Sequence, residues 1–132
     1  MSKIDYAHLL ELAKKATDNA YVPYSKFYVG AAILYEDGKI YTGCNVENAS
    51  YGMTICAERN ALTTAIADGQ KSKPIVIALA CKNTKLCYPC GACRQFIVEF
   101  NKNAEIVLED EHGSPKVLNM SEMMPYVFEL ES

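Results

Sequence analysis

The 132 residues suffice for one folded domain and leave little room for a second, and with half of them apolar a sizeable core can be buried. A net charge of −3 with no cluster of Lys and Arg speaks against a nucleic-acid polymer as partner, since such binders carry a basic patch. The opening residues lack the apolar stretch of a signal peptide and the longest apolar run, 75–81, is far too short to cross a bilayer, so the chain reads as cytoplasmic with no membrane partner.

The first predicted element is an amphipathic helix from Asp5 to about Ala20. Tyr6, Leu9, Leu10, Ala13 and Ala16 recur at helical spacing, and Pro23 stops it. Phe27 to Tyr35 reads as a strand. Asp37-Gly38 then signals a hairpin, and Lys39 to Val46 returns as a second strand, in which Gly43 suggests a bulge. Glu47 to Met53 reads as a loop. Thr54 is the expected cap of a helix over about 55–68, closed by Gly69. The continuous apolar run Ile75–Cys81 after Pro74 suggests a strand covered on both faces. A loop over 82–89, a helix over 90–100 and a strand over 104–108 follow. Residues 111–115 are turn-like, and a short helix is expected after Ser121. The order α-β-β-α-β-α-β and a tail favours a mixed sheet with helices on both faces, its later strand–helix–strand unit parallel.

Six cysteines in a chain read as cytoplasmic point to metal or catalysis ahead of disulfides. Cys56-Ala57-Glu58 and Pro89-Cys90-Gly91-Ala92-Cys93 each stand at a predicted helix start. The x2 spacing of Cys90 and Cys93 lets two thiolates grip one tetrahedral zinc, and helix N-termini favour the thiolate form. Two helix starts aimed at one point could hold three thiolates and leave a fourth position for water. Glu58, two residues after a ligand, would diverge from it in mid-helix. In the first turn it can converge and serve as general base and acid. Zinc deaminases present this combination, a ligand–x–Glu segment followed by P-C-x-x-C.

The chain resembles the small cytidine deaminases that act on free nucleosides. PYSKFYVGAAIL (23–34), GCNVENASYG (43–52), CAER (56–59) and PCGACRQ (89–95) carry the likeness, which runs nearly the whole length. The resemblance implies a three-layer α/β/α fold with a mixed five-stranded sheet, a single domain over 1–132, and one Zn²⁺ per subunit. It implies hydrolysis of cytidine or deoxycytidine to uridine or deoxyuridine plus ammonia, in pyrimidine salvage, by zinc-activated water. It also implies a homotetramer with pockets shared between subunits.

By the same resemblance Cys56, Cys90 and Cys93 are the zinc ligands and Glu58 the proton shuttle. Phe27 packs against the pyrimidine, Asn45 and Glu47 hold the ribose hydroxyl, and the Ala57 backbone N–H meets the base. Tyr51 and Phe128 fall where a neighbouring subunit completes the pocket. Three thiolates on one Zn²⁺ sum to −1, so a cation should stand beside them; Arg59 leads by position, and Arg94 follows.

Competing readings stay open. Cys87-x2-Cys90-x2-Cys93 with Cys56 would allow a closed four-thiolate structural zinc and an interaction module without catalysis. An iron–sulfur run lacks a fourth nearby cysteine. A related zinc deaminase on another base is the alternative within the enzyme class. The NVEN segment (45–48) and the acidic balance favour a free nucleoside. Cys44 and Cys81 are expected as small apolar strand residues, His8 and His112 as structural, and Phe96, Ile97 and Phe100 as core.

Overall fold

The computed structural model describes residues 4–83, 88–89 and 91–124. Helix α1 spans Tyr6–Ala16 and begins where Asp5 accepts a hydrogen bond from the His8 N–H at 3.0 Å. Its buried stripe is Leu9, Leu10, Ala13 and Ala16. The predicted last turn tightens instead to a 3₁₀ turn over Thr17–Asn19, and the Thr17 hydroxyl donates back to the Lys14 carbonyl.

Strands β1 (Val29–Tyr35) and β2 (Ile40–Cys44) form the hairpin around Asp37-Gly38. Helix α2 (Ala57–Ala67) follows, then β3 (Pro74–Cys81), α3 (Gly91–Phe100), β4 (Glu105–Glu109), β5 (Pro115–Asn119) and α4 (Met120–Met123). The sheet order is β2-β1-β3-β4-β5, with β3 and β4 parallel and the other pairs antiparallel. This is the three-layer, five-stranded arrangement that the family resemblance implied.

Successive strand residues face opposite sides, and both sides are covered. Ala32, Val76, Ala78 and Val107 pack under Leu9, Leu10 and Ala13 of α1. Ala31, Ile33, Ile77, Leu79, Ile106 and Leu108 pack under α2 and α3 through Ala61, Leu62, Ala65 and Ile97. That double cover explains the unbroken apolar run of β3. Each such Ile or Leu contributes about 1.5–3 kcal/mol by leaving water.

Gly43 is not a bulge. It pairs in regular register with Ala31, and a Cβ there would lie 2.5 Å from the Ala61 nitrogen and 2.6 Å from the Ala57 carbonyl oxygen. The glycine lets β2 touch the backbone of α2. Gly30 does the same for α1, where a Cβ would fall 2.0 Å from the Ala13 oxygen. The register irregularity sits elsewhere, between Leu34 and Tyr35 against β3.

Two further expectations change. Strand β5 lies in a stretch read as turn and tail, because Pro115, Lys116 and Val117 are exposed on both faces of a short edge strand and leave little apolar signal. Cys44 is a free thiol, but Cys81, at the end of β3, is disulfide-bonded rather than a plain apolar residue.

The register sets the position of the site. Val29 pairs with Cys81 and Gly30 with Cys44, so the start of β1 meets the ends of β2 and β3 at one rim of the sheet. The loops leaving β2 and β3 there lead into α2 and α3.

Candidate active site

Beyond β2 the chain keeps pairing. Val46 and Ile55 exchange N–H···O bonds of 2.9 Å each, and Tyr21 receives the Glu47 N–H at 2.8 Å. This pins Ile55, so Cys56 turns into α2 as its N-cap in an extended conformation, with no side-chain capping bond. The expected cap, Thr54, accepts from the Asn48 N–H at 3.3 Å instead. The helix therefore starts two residues later than the pattern suggested, directly at the Cys-Ala-Glu segment.

Cys56, Glu58 and Cys93 converge, their ligand atoms all lying within 4.8 Å of one another. Cys93 comes from the first turn of α3, so two helix N-termini meet here as the sequence implied. Glu58 is 4% exposed. Burial, reinforced by the neighbouring Cys56 sulfur, pushes its carboxyl up to about 7, into the range where a carboxyl both takes and gives a proton near neutrality. A divalent cation on the sulfurs acts in the opposite sense, favouring the carboxylate.

Arg59 lies on the sulfur side. Its Nη2 stands 3.4 Å from the Cys56 Sγ and 3.3 Å from the Thr54 carbonyl oxygen. The bond to Cys56 raises the guanidinium pKa further, so the group is a fixed positive charge. Arg94 is placed differently: its Nε donates to the Pro89 carbonyl at 3.0 Å and its Nη1 to that of Met123 at 3.2 Å. It ties the start of α3 to α4. Ala57, fully buried, contributes one of the first-turn N–H groups that no helix carbonyl satisfies.

The loop residues are held tightly. The Glu47 carboxylate accepts from the Tyr24 and Ser25 N–H groups at 3.1 Å each and from the Ser25 hydroxyl. The Ser25 hydroxyl bond, first among its causes, holds the Glu47 carboxyl below its usual range. Asn45 accepts from the Val29 N–H at 3.1 Å and donates to the Phe27 carbonyl at 2.8 Å. An amide has four hydrogen-bonding positions, so Asn45 keeps capacity for a ligand. Phe27 is 39% exposed at this rim. Tyr51, 78% exposed, stands edge-on to Tyr24 with ring centroids 6.4 Å apart. Tyr24, Ser25, Glu47, Tyr51 and Thr54 line a cleft of about 370 Å³, the size of a small-ligand site. Cys87, Cys90 and Phe128 lie outside the described residues.

Ser25 and Asn83 also hold backbone at this rim and carry no signal of that in the sequence. Ser25 sits inside the PYSKFYVGAAIL segment with no motif of its own. Asn83 follows a strand and looked like an ordinary loop residue.

A family model, the cytidine and deoxycytidylate deaminase zinc-binding region, matches residues 3–109. The chain belongs to this deaminase family. Cytidine deaminases of Sporosarcina psychrophila and Halalkalibacterium halodurans are 44% and 40% identical, each over 97% of this chain, covering 94% and 97% of their own lengths. The crystal structure of cytidine deaminase from Burkholderia pseudomallei matches with a TM-score of 0.87 at 42% identity, over 95% of this chain and 100% of that one. That of Mycobacterium tuberculosis gives 0.84 at 36%, over 97% and 100%.

The donor set fits the zinc of this deaminase family. Two thiols at helix N-termini are soft ligands biased toward the thiolate, with a charged guanidinium beside them. The Arg59 Nε, buried and without a hydrogen-bond partner among the described residues, leaves donor capacity beside the sulfurs, as thiolate-rich zinc sites call for.

Proposed function

We propose that this protein hydrolyses free cytidine and deoxycytidine to uridine and deoxyuridine, releasing ammonia. The observation that carries the reading is Glu58, a buried carboxyl within ligand reach of two sulfurs at the meeting of two helix starts.

In this reading Cys56, Cys90 and Cys93 hold the zinc. The bound metal supplies Lewis-acid charge that makes water a nucleophile near neutral pH. Glu58 takes the proton released by the attacking water and delivers it to ring N3. It then takes the proton of the hydroxyl added at C4 and passes it to the amine leaving that carbon, so its carboxyl ends each cycle as it began. Phe27 packs on the pyrimidine, the Ala57 N–H binds the base, and Asn45 and Glu47 bind the ribose hydroxyl. Arg59 offsets the surplus negative charge of three thiolates. The Arg94 bonds to Pro89 and Met123 favour a bracing role for that residue.

The exposed Tyr21, Val46, Tyr51, Met53 and Ile55 lie on the segments that border the site. They support an assembly of copies, a homotetramer whose pockets include Tyr51 and Phe128 of adjoining subunits. Among the described residues no helix is long and apolar enough to cross a membrane. A cytoplasmic place in nucleoside salvage is part of the same proposal.

The test is direct. Purified zinc-loaded protein is mixed with cytidine or deoxycytidine, and the ultraviolet spectrum is expected to move to that of the uracil nucleoside. Unchanged spectra for both nucleosides would favour a structural zinc site without catalysis.

A further inference from the structure

The strand that carries Phe27 runs past the end of the sheet. β1 begins at Val29. Residues 26–28 extend beyond it, where neither β2 nor β3 supplies a regular ladder. Their backbone groups still need partners.

One backbone bond persists, from the Lys82 N–H to the Tyr28 carbonyl at 3.0 Å, and two asparagine amides supply the rest of that ladder. On the β2 side, Asn45 accepts from the Val29 N–H and donates to the Phe27 carbonyl. On the β3 side, the Asn83 Oδ1 accepts from the Tyr28 N–H at 3.0 Å, and its Nδ2 donates to the Lys26 carbonyl at 3.2 Å. The backbone groups of successive strand residues point to opposite sides, so 27 and 29 fall to one amide and 26 and 28 to the other. Each asparagine follows the end of the strand that flanks β1. Phe27 is bracketed between them.

The bracket holds an unfavourable backbone. Lys26 has φ +59°, the left-handed region that a lysine rarely adopts. It is exposed, and its charge lies near the Glu47 carboxylate, which it helps to keep ionised. Two contacts fix the peptide that follows it: its carbonyl accepts from Asn83, and its N–H, that of Phe27, donates to the Ser25 hydroxyl oxygen at 3.1 Å.

We propose that Asn83 is a positioning residue for substrate binding: by holding Lys26 in the left-handed conformation and Tyr28 in line, it aims the Phe27 ring at the base. This rests on the cytidine reading above. Asn83 touches neither the sulfurs nor Glu58 in any described contact, so its effect falls on binding and not on the chemical step.

The experiment compares wild type, Asn83→Ala, Asn83→Asp and the double variant Asn83→Ala/Lys26→Gly. KM and kcat for cytidine, Kd for uridine by calorimetry, zinc content and Tm are measured on each. Asn83→Ala should raise KM and Kd together by roughly three- to tenfold, the span of losing one oriented aromatic contact, with kcat within about twofold. Asn83→Asp keeps the acceptor for Tyr28 but loses the donor to Lys26, and should fall between. Adding Lys26→Gly removes the penalty of the left-handed backbone and should restore much of the lost affinity, which no general destabilisation would do.

An unchanged KM and Kd in an active Asn83→Ala protein would overturn the inference while leaving the activity standing. So would a fall in kcat, zinc content and Tm together without rescue by glycine. A wild type that leaves cytidine untouched would overturn both.

Discussion

Three residues at the start of α2 present three different groups to one point: a sulfur from Cys56, a carboxyl from Glu58 and a guanidinium from Arg59. A mid-helix position could not do this, because side chains there diverge by 100° per residue; the first turn can. Cys-Ala-Glu was legible from spacing, and the P-C-x-x-C partner made the metal reading specific. Charge balance called for a cation, and position and the family resemblance pointed to Arg59; the structure supplies the contact, 3.4 Å to the Cys56 sulfur. Arg59→Gln is expected to weaken zinc retention by ~10–100-fold, read as faster metal loss to a chelator. Retention equal to wild type would show that the guanidinium is a bystander. Asn83 was invisible in the sequence, because an amide after a strand looks the same whether it solvates itself or completes a neighbour's ladder.

At the scale of elements, the strand and helix cores were readable and their ends were not. The α1 stripe and the doubly covered β3 follow from periodicity, which burial enforces over many residues at once. The start of α2 depended instead on a β-bridge between Val46 and Ile55, a long-range pairing that no local pattern shows. β5 escaped because an exposed edge strand has one weakly apolar face to betray it.

Gly43 looked like a strand break, and it is a contact surface. Gly43→Ala must push β2 from the backbone of α2, and is expected to cost ~1–3 kcal/mol, seen as a lowered Tm. A Tm equal to wild type would mean that strand and helix have slack between them.

Two tyrosine–carboxylate bonds join elements: Tyr6 to Glu105 at 2.6 Å links α1 to β4, and Tyr41 to Asp68 at 2.5 Å links β2 to the end of α2. In each, the hydrogen bond to the carboxylate pushes the phenol up to about 12. A folded pKa above the unfolded value means that the bond stabilises fully below the unfolded phenol pKa of about 10 and is lost as pH rises through about 12. Urea midpoints of wild type should therefore fall across that window, and the fall should be smaller in Tyr6→Phe/Tyr41→Phe. Equal slopes would show that the two bonds are too solvated to matter.

For the whole molecule, the topology explains why so small a chain can hold a reactive centre. β1 sits between two antiparallel partners, so its entry loop lies at the rim where β2 and β3 release their chains into α2 and α3. The loops that carry Phe27, Asn45 and Glu47 and the sulfur–carboxyl group are thus brought to one edge by three adjacent strands. The proposed roles divide accordingly: the helix starts do the chemistry, and the loops before β1 and after β2 hold the nucleoside. In the proposed mechanism, zinc binding and proton transfer are separate tasks of neighbouring residues. The most direct test measures zinc per chain and cytidine turnover on the same preparations of wild type and Glu58→Gln. One zinc in each protein, with turnover in wild type and almost none in the variant, is the expected result. A Glu58→Gln protein that deaminates cytidine at close to the wild-type rate would contradict the account.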